Sequence, residues 1–329
     1  ASRMSEPWTW HGGDLSAAMC RFGSGDKPWI DLSTGINPAP WPHMGGVEID
    51  WGRLPERDAV AGLERAAAAF FGIAARHVCA VPGAEIGLRL VGSLIGGEAR
   101  YAAPSYRTHG EMIPGARAAG RDAIGRHGGT VIVANPNNPD GAIVPPAALR
   151  DLLASRGETG WLLVDEAFAD VDPALSLAPA VSDDARLILF RSFGKFFGLA
   201  GVRLGFVLGP EPFLRDLRAL LGAWPVSAAA VAIGAAAYAD ADWIAATRRR
   251  LPEQAAALDA LLRGAGYTPV GACPLFRLVE TVDARALFER LARRAILTRP
   301  FADQPQWLRF GLPGDDAALL RLKAALADG

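Results

Sequence analysis

The chain carries 34 lysines and arginines, yet only three are lysine: Lys27, Lys195 and Lys323. Arginine has taken nearly every cationic position, and a guanidinium stays protonated, so it cannot act as a neutral amine. Lys195 sits in Ser192-Phe193-Gly194-Lys195-Phe196-Phe197-Gly198, among glycines and phenylalanines. An ammonium in apolar surroundings is pushed toward its neutral form, and a neutral amine can condense with an aldehyde. Taken alone, Lys195 could equally be a lysine snorkelling from a loop. Its neighbours bear on the choice. Ser192 lies three positions before it and Arg203 eight after, inside a glycine-rich run. A hydroxyl, a guanidinium and free backbone N–H groups together suit a phosphate monoester. An aldehyde that carries a phosphate is pyridoxal phosphate, whose protein partner is a lysine amine.

Such a cofactor asks for more. A carboxylate must keep its pyridine nitrogen protonated, and Asp165, at the end of an apolar run, is a candidate; by itself it reads as well as a helix cap. Asn138 could meet the ring hydroxyl oxygen, although Asn135–Gly141 also reads as a plain turn. Backbone N–H groups at a helix start suit a phosphate, and Gly83-Ala84-Glu85 could supply them. Tyr106, after Pro104-Ser105, is a candidate flat partner for the ring.

The elements that must position these residues follow from the pattern. Apolar runs at Val78–Val81, Thr130–Ala134, Trp161–Val164, Leu187–Phe190 and Leu204–Leu208 read as strands, alternating with helical segments. Helices are expected over Asp14–Phe22, Glu56–Phe71 ended by Gly72, and Pro146–Ala154. Such alternation indicates an α/β fold with a mostly parallel sheet covered by helices on both faces. Each polar motif begins where a strand run stops, and ligands in open α/β sheets bind at the carboxyl ends of strands. Residues 226–264 read as helical, with breaks near Ala239–Asp242 and at Pro252. Strands at Leu275–Val279, Ala295–Thr298 and Trp307–Phe310, with helices near Ala284–Arg293 and Asp315–Leu326, indicate a smaller α+β C-terminal domain. The expected division is an N-terminal arm over 1–40, a large domain over 41–225 and a small domain over 226–329.

The bulk numbers exclude several classes. A length of 329 residues with half of them apolar allows a large core, and a net charge of −1 leaves no nucleic-acid footprint. Cys20, Cys79 and Cys273 lack CxxC spacing, which fits a reducing, cytoplasmic setting with buried thiols. No metal-ligand motif occurs. No apolar run reaches ~18 residues, so no membrane span is expected. Residues 1–6 lack the apolar stretch of a signal peptide, and Ala1-Ser2-Arg3 reads as an expression remnant.

Together the motifs resemble those of fold-type I pyridoxal-phosphate enzymes of the aspartate aminotransferase superfamily, over nearly the whole chain. The matching residues are Gly83-Ala84, Tyr106, Asn138-Pro139-Asp140-Gly141, Asp165-Glu166-Ala167-Phe168, Ser192-Phe193-Gly194-Lys195 and Arg203. The resemblance implies Lys195 as the Schiff-base lysine and Asp165 as the pyridine partner. It implies Asn138 at the ring hydroxyl oxygen, Tyr106 on the ring face, and Ser192, Arg203 and the Gly83-Ala84 backbone at the phosphate. Leu308-Arg309-Phe310-Gly311 resembles the segment whose arginine clamps a substrate α-carboxylate, and Arg299 resembles a nearby helper. Within the superfamily the chain is similar to the histidinol-phosphate aminotransferase branch. More narrowly, His11-Gly12-Gly13-Asp14, Asp31-Leu32-Ser33-Thr34-Gly35-Ile36-Asn37-Pro38 and Asp165-Glu166-Ala167-Phe168 resemble the L-threonine-O-3-phosphate decarboxylases of cobalamin biosynthesis. Phe168 stands where many aminotransferases have a tyrosine. Leu54 replaces a tyrosine that in the family reaches the partner subunit's cofactor phosphate. The resemblance also implies a homodimer.

The implied reaction is decarboxylation of a phosphorylated amino acid, with His11 and Asn37 of the arm binding the substrate phosphate and Arg107 or His109 as further donors. An aminotransferase of the histidinol-phosphate or aromatic type would keep every cofactor residue. A non-catalytic cofactor-binding regulator would normally carry a DNA-binding domain, and residues 1–40 are too short and too neutral for one.

Overall fold

Seven short segments, most of them apolar runs bounded by turns, form one sheet. In chain order its strands are β1 (Val78–Val81), β2 (Ala99–Ala103), β3 (Arg117–Gly120), β4 (Thr130–Ala134), β5 (Leu162–Asp165), β6 (Leu187–Ser192) and β7 (Gly205–Leu208). The spatial order is β1-β7-β6-β5-β4-β2-β3. Strands β3, β2, β4, β5 and β6 run parallel to one another, and β7 runs against both β6 and β1. The computed structural model describes residues 7–23 and 27–327. The reading of residues 1–6 lies outside the described residues.

Every residue of β1, β4, β5 and β7 is buried, as strands covered on both faces must be. On one face, Leu88 and Val91 of the helix Ala84–Ile95 and Leu214 and Leu217 of the helix Glu211–Leu221 pack against Cys79, Ile132, Leu163, Ile188 and Val207. Burying each such aliphatic side chain contributes about 1.5–3 kcal/mol. Elsewhere in the same unit, the helices Arg57–Phe71 and Ala228–Ala239 pack together. Gly72 closes the first of these in the left-handed conformation, φ 73°, where its lack of a Cβ removes the steric penalty.

The strands β2 and β3 and the helix Glu211–Leu221 are among the elements that the sequence pattern did not lead one to expect. Segments β2 (Ala-Arg-Tyr-Ala-Ala) and β3 (Arg-Ala-Ala-Gly) lack the β-branched residues that mark a strand, and β3 is an edge strand that is mostly exposed. Their conformation comes from ladder pairing beside β4, a tertiary influence that overrides propensity. The helix Glu211–Leu221 has proline in its first turn and a buried Leu214–Leu217 face, both ordinary helix signals.

The expected break near residue 240 is present: Asp240 separates Ala228–Ala239 from Ala241–Gly264, and its Oδ1 accepts from Trp243 N at 3.1 Å. The break expected at Pro252 is not, because the helix Ala241–Gly264 runs through it. Proline removes one backbone donor. Leu251, Ala255, Leu258 and Leu262, a buried stripe on both sides of it, hold the helix together.

The contacts divide the chain into two units. The larger holds 40–138 and 143–248, including the seven-stranded sheet. The smaller holds 1–39, 139–142 and 249–329. The N-terminal segment therefore groups with the C-terminal part, and residues 226–248 group with the larger unit, where the helix Ala228–Ala239 packs on Arg57–Phe71. The smaller unit has an antiparallel sheet in the order Arg299–Pro300, Trp307–Gly311, Phe276–Glu280, Pro269–Val270. A parallel pair joins Ile30–Asp31 to Ile296–Leu297. Trp8, Phe22 and Phe288 form an aromatic cluster that ties the N-terminal helices to the helix Ala284–Ala292.

Candidate active site

A cavity opens in the larger unit among the ends of β4, β5 and β6. It encloses about 840 Å³, counting space open to solvent. All eight residues expected to hold the cofactor line it: Gly83, Ala84, Tyr106, Asn138, Asp165, Ser192, Lys195 and Arg203. Glu85, Ala167 and Phe168 line it as well.

Lys195 is carried on the short helix Phe193–Phe196, directly after β6. The phenylalanines around it explain why that loop is firm. Phe193 stacks on Phe197 with centroids 4.6 Å apart, and Phe197 stacks on Trp243 at 5.4 Å. Phe193, Phe196 and Phe197 are buried, while Lys195 remains half-buried at the cavity. Its Nζ lies 5.7 Å from the centroid of the Phe168 ring.

Asp165 ends β5 and is nearly buried. Its Oδ1 accepts from Ala167 N at 3.0 Å, so it does cap the turn that follows. Its Oδ2 lies 2.9 Å from His109 Nε2. An ionised carboxylate only accepts, so Nε2 carries the proton of that bond. His109 is 1% exposed and belongs to the larger unit, behind Asp165. This corrects its reading as a donor to a substrate phosphate: its hydrogen-bonding nitrogen is committed to the carboxylate.

The phosphate end fits an anion. Gly83, at φ 94°, precedes the helix Ala84–Ile95. A Cβ at Gly83 would meet Arg203 Nη2 at 2.8 Å, so only glycine lets that guanidinium approach the turn. Arg203 itself is a non-glycine residue in the left-handed region, φ 56°, held by Nη1 donating to Ala200 O at 3.1 Å. A Cβ at Gly205 would lie 2.5 Å from Ala84 N. Strand β7 thus brings the lysine loop and the glycine turn as close as backbones allow. Positive guanidinium, free helix-start N–H groups and the Ser192 hydroxyl make a phosphate cradle. The turn bearing Asn138 is built by Asn135, whose side chain donates to Val144 O at 3.0 Å and accepts from Val144 N at 2.9 Å.

On the other side of β5 and β6 lies a dry charge cluster. Arg191 Nη1 donates to Glu166 Oε2 at 2.9 Å, and its Nη2 donates to Asp170. Glu166 also accepts from Ser176 Oγ at 2.6 Å and Leu177 N at 2.7 Å. Burial holds both carboxyls above their ordinary values, and the neighbouring Arg191 offsets only part of that rise.

The four residues expected to bind substrate belong to the smaller unit. His11 is exposed. Asn37 is buried, and its Oδ1 accepts from Ala39 N at 3.0 Å and Arg250 Nη2 at 3.2 Å. Arg299 and Arg309 stand directly opposite each other on paired strands. Arg299 Nη1 donates to Trp8 O at 2.8 Å, and Arg309 Nη2 donates to Ser33 O at 3.1 Å. Burial first, and the adjacent Arg299 second, push the Arg309 guanidinium down to about 10, which still leaves it charged at neutral pH.

Burial pushes the thiols of Cys79 and Cys273 up to about 12 each, so they behave as apolar filling. Among the described residues no cluster of His, Cys, Asp or Glu could hold a metal ion, and no single helix is long and apolar enough to cross a membrane.

Comparison with known proteins agrees with this geometry. The family of class I and II aminotransferases matches residues 121–326. A threonine-phosphate decarboxylase of a Sinorhizobium species is 43% identical over 96% of this chain and 97% of its own length. Its counterpart in Pseudomonas aeruginosa is 41% identical, covering 96% of each chain. Among solved structures, histidinol-phosphate aminotransferase from Sinorhizobium meliloti, in complex with pyridoxal-5'-phosphate, superposes with a TM-score of 0.84 at 22% identity, over 100% of this chain and 97% of that one. L-threonine-O-3-phosphate decarboxylase from Porphyromonas gingivalis gives 0.73 at 17% identity, over 91% and 98%. At those identities the structures speak for the fold, a fold-type I architecture. The sequence match over most of the chain speaks for descent: this protein belongs to the class I and II aminotransferase family of enzymes.

Proposed function

We propose that this enzyme uses pyridoxal phosphate to decarboxylate L-threonine O-3-phosphate, releasing carbon dioxide and (R)-1-aminopropan-2-ol O-2-phosphate, a precursor of the cobalamin side arm. The observation that carries the cofactor is the single cavity shared by Lys195, Asp165, Arg203 and the Gly83-Ala84 turn. The choice of decarboxylation over amino transfer is supported by the two relatives matched over nearly the full chain.

When bound, pyridoxal phosphate supplies an electron sink that weakens one bond at the substrate's α-carbon. The protein's residues do the rest. Lys195 Nζ would hold the aldehyde end of the cofactor, and the same amine would supply the proton that takes the place of the lost carboxylate at the α-carbon. Asp165, oriented by His109 and Ala167 N, would keep the pyridine nitrogen protonated. Tyr106 would face the ring, and Asn138 would donate to its hydroxyl oxygen. Phe168 could not give that oxygen the second hydrogen bond a tyrosine would. Ser192, Arg203 and the backbone at Gly83-Ala84 would hold the phosphate.

Arg309, with Arg299, binds the substrate α-carboxylate. Two guanidiniums facing each other across a ladder repel, and an anion between them relieves that cost. His11 and Asn37, in an arm spanning residues 1–40, bind the substrate phosphate. The residues proposed to hold the cofactor all fall in the larger unit, and those proposed to bind substrate all fall in the smaller one. The enzyme works in the cytoplasm as a homodimer, without nucleic-acid or membrane partners. Trp51, Leu54 and Trp224, exposed by 77%, 60% and 58%, suit a subunit contact.

The test is direct. Purified enzyme loaded with pyridoxal phosphate is given L-threonine O-3-phosphate, and carbon dioxide is measured; 2-oxoglutarate is then supplied, and glutamate is measured. Carbon dioxide without glutamate is expected. Glutamate without carbon dioxide would make the enzyme an aminotransferase. Protein that takes up no cofactor and stays colourless would point to a non-catalytic role.

A further inference from the structure

The aromatic residue expected to face the cofactor ring is held by a side chain that the mechanism above does not use. Tyr106 donates its hydroxyl to Glu85 Oε2 at 3.0 Å. The same carboxylate accepts from Thr108 Oγ1 at 2.9 Å and from Arg89 Nε at 2.7 Å. Arg89 Nη2 in turn donates to Glu111 Oε2 at 2.8 Å. Glu85 and Arg89 lie on the helix Ala84–Ile95. Thr108 and Glu111 lie on the short helix Arg107–Glu111, which Tyr106 immediately precedes. One carboxylate therefore fastens the start of one helix to the turn that carries the stacking ring. The Tyr106 and His109 rings meet edge to face, with centroids 5.8 Å apart and planes at 80°. The two soft torsions of Tyr106 are thus fixed from the hydroxyl end and by the ring contact.

The placement has an electrostatic cost that calls for an explanation. Glu85 lines the same cavity as Arg203 and the glycine turn, where a phosphate would bind, and like charges at such distances repel. A carboxylate there opposes the anion unless it does something else. Burial first, and the Glu85 charge second, push the Tyr106 hydroxyl up to about 12. The hydroxyl therefore stays a neutral donor across the physiological range, and the bond to Glu85 is charge-assisted.

We propose that Glu85 is a positioning residue that fixes the plane of the Tyr106 ring on which the cofactor stacks. The inference rests on reading the cavity as a pyridoxal-phosphate site. It makes Glu85 act through Tyr106, with its charge offset by Arg89.

A double-mutant cycle tests it. Apoprotein of the full chain is titrated with pyridoxal phosphate, following visible absorbance for affinity and induced circular dichroism for ring orientation. The variants are Glu85→Ala, Tyr106→Phe and the pair. Removing the charge near the phosphate acts equally in both backgrounds and cancels in the cycle. A lost charge-assisted hydrogen bond predicts that Glu85→Ala weakens binding about ten-fold more when Tyr106 is present than in the Tyr106→Phe background. The induced dichroism should fall in parallel. Glu85→Gln, which keeps an acceptor, should stay within about three-fold of wild type. Equal effects of Glu85→Ala in the two backgrounds, or unchanged dichroism, overturn the proposal while leaving the pocket's reading intact. Wild-type protein that takes up no cofactor overturns that reading, and this one with it.

Discussion

Asp165 and Glu166 are neighbours in the chain, as are Arg191 and Ser192, yet the members of each pair live in different surroundings. Strand alternation sends Asp165 and Ser192 to the cavity and sends Glu166 and Arg191 to the opposite face. On the open face, Asp165 and Ser192 line space where a ligand fits, and Asp165 is held in place there by Ala167 N and His109. On the closed face, acid and base are dry and bonded to each other, to Ser176 and to the Leu177 backbone. The same two strand ends carry groups aimed outward for chemistry and groups paired inward with opposite charge. The difference teaches that ionisable residues at strand ends need their own environment read before a role is given. Glu166 and Asp170, by residue type alone, look as catalytic as Asp165.

Three substitutions probe that contrast. Lys195→Ala should lower turnover of the phosphorylated amino acid by more than about 1,000-fold, since no other lysine is near enough in sequence to take over, with unfolding in denaturant little changed. Undiminished turnover would mean that the open face is not the reacting one. Arg191→Met should do the reverse in kind. Leaving Glu166 and Asp170 buried without their cation should cost about 3–5 kcal/mol of stability, read from urea unfolding. A midpoint close to wild type would show that the closed face is hydrated and not the dry cluster described. Gly205→Ala sharpens the comparison at a smaller scale. Its Cβ would press on Ala84 N, at 2.5 Å, and the repacking should cost about 1–3 kcal/mol while weakening cofactor uptake. Wild-type uptake would show that the phosphate turn has slack.

A surface carboxylate sets the bottom of the scale. The Trp41 indole N–H donates to Asp240 Oδ2 at 2.9 Å, and this bond first, then the Trp243 backbone N–H, holds the Asp240 carboxyl below its ordinary value. A depressed folded value stabilises above the unfolded value near 4, and that contribution is lost as pH falls through the lower folded one. Asp240→Asn should therefore remove a small acid-side dependence, less than about 1 kcal/mol. Thermal melts of both proteins between neutral and strongly acid pH would show it. A difference that grows toward acid would contradict the sign.

The lining of the candidate cavity could be read from the chain in large part, because the residues expected to hold a cofactor sit at the ends of apolar runs. Lys195, Asp165, Asn138 and Gly83 each follow or end such a run, and strand ends gather at one edge of a sheet. What escaped was whatever depended on partners distant in sequence. His109 finds its carboxylate 56 residues away, and Glu85 finds its phenol 21 residues away. Their side chains carried a visible hint only in spacing, with His109 three positions after Tyr106 and Glu85 directly after Gly83-Ala84. The strands β2 and β3 were hidden for a related reason, since alanine and arginine become extended there only through pairing with neighbours. Pro252 misled in the other direction, because a local rule was outweighed by a buried stripe.

Strand β7 runs back beside β6, and Ser192 faces Gly205 across the ladder. The twelve residues between them leave and re-enter the sheet at adjacent points. Lys195 and Arg203 thus travel as one cassette whose feet are already stapled together. With the feet side by side, the closure cost of the excursion grows only slowly with its length. Residues added at its crown would therefore leave the pairing of β6 with β7 unchanged.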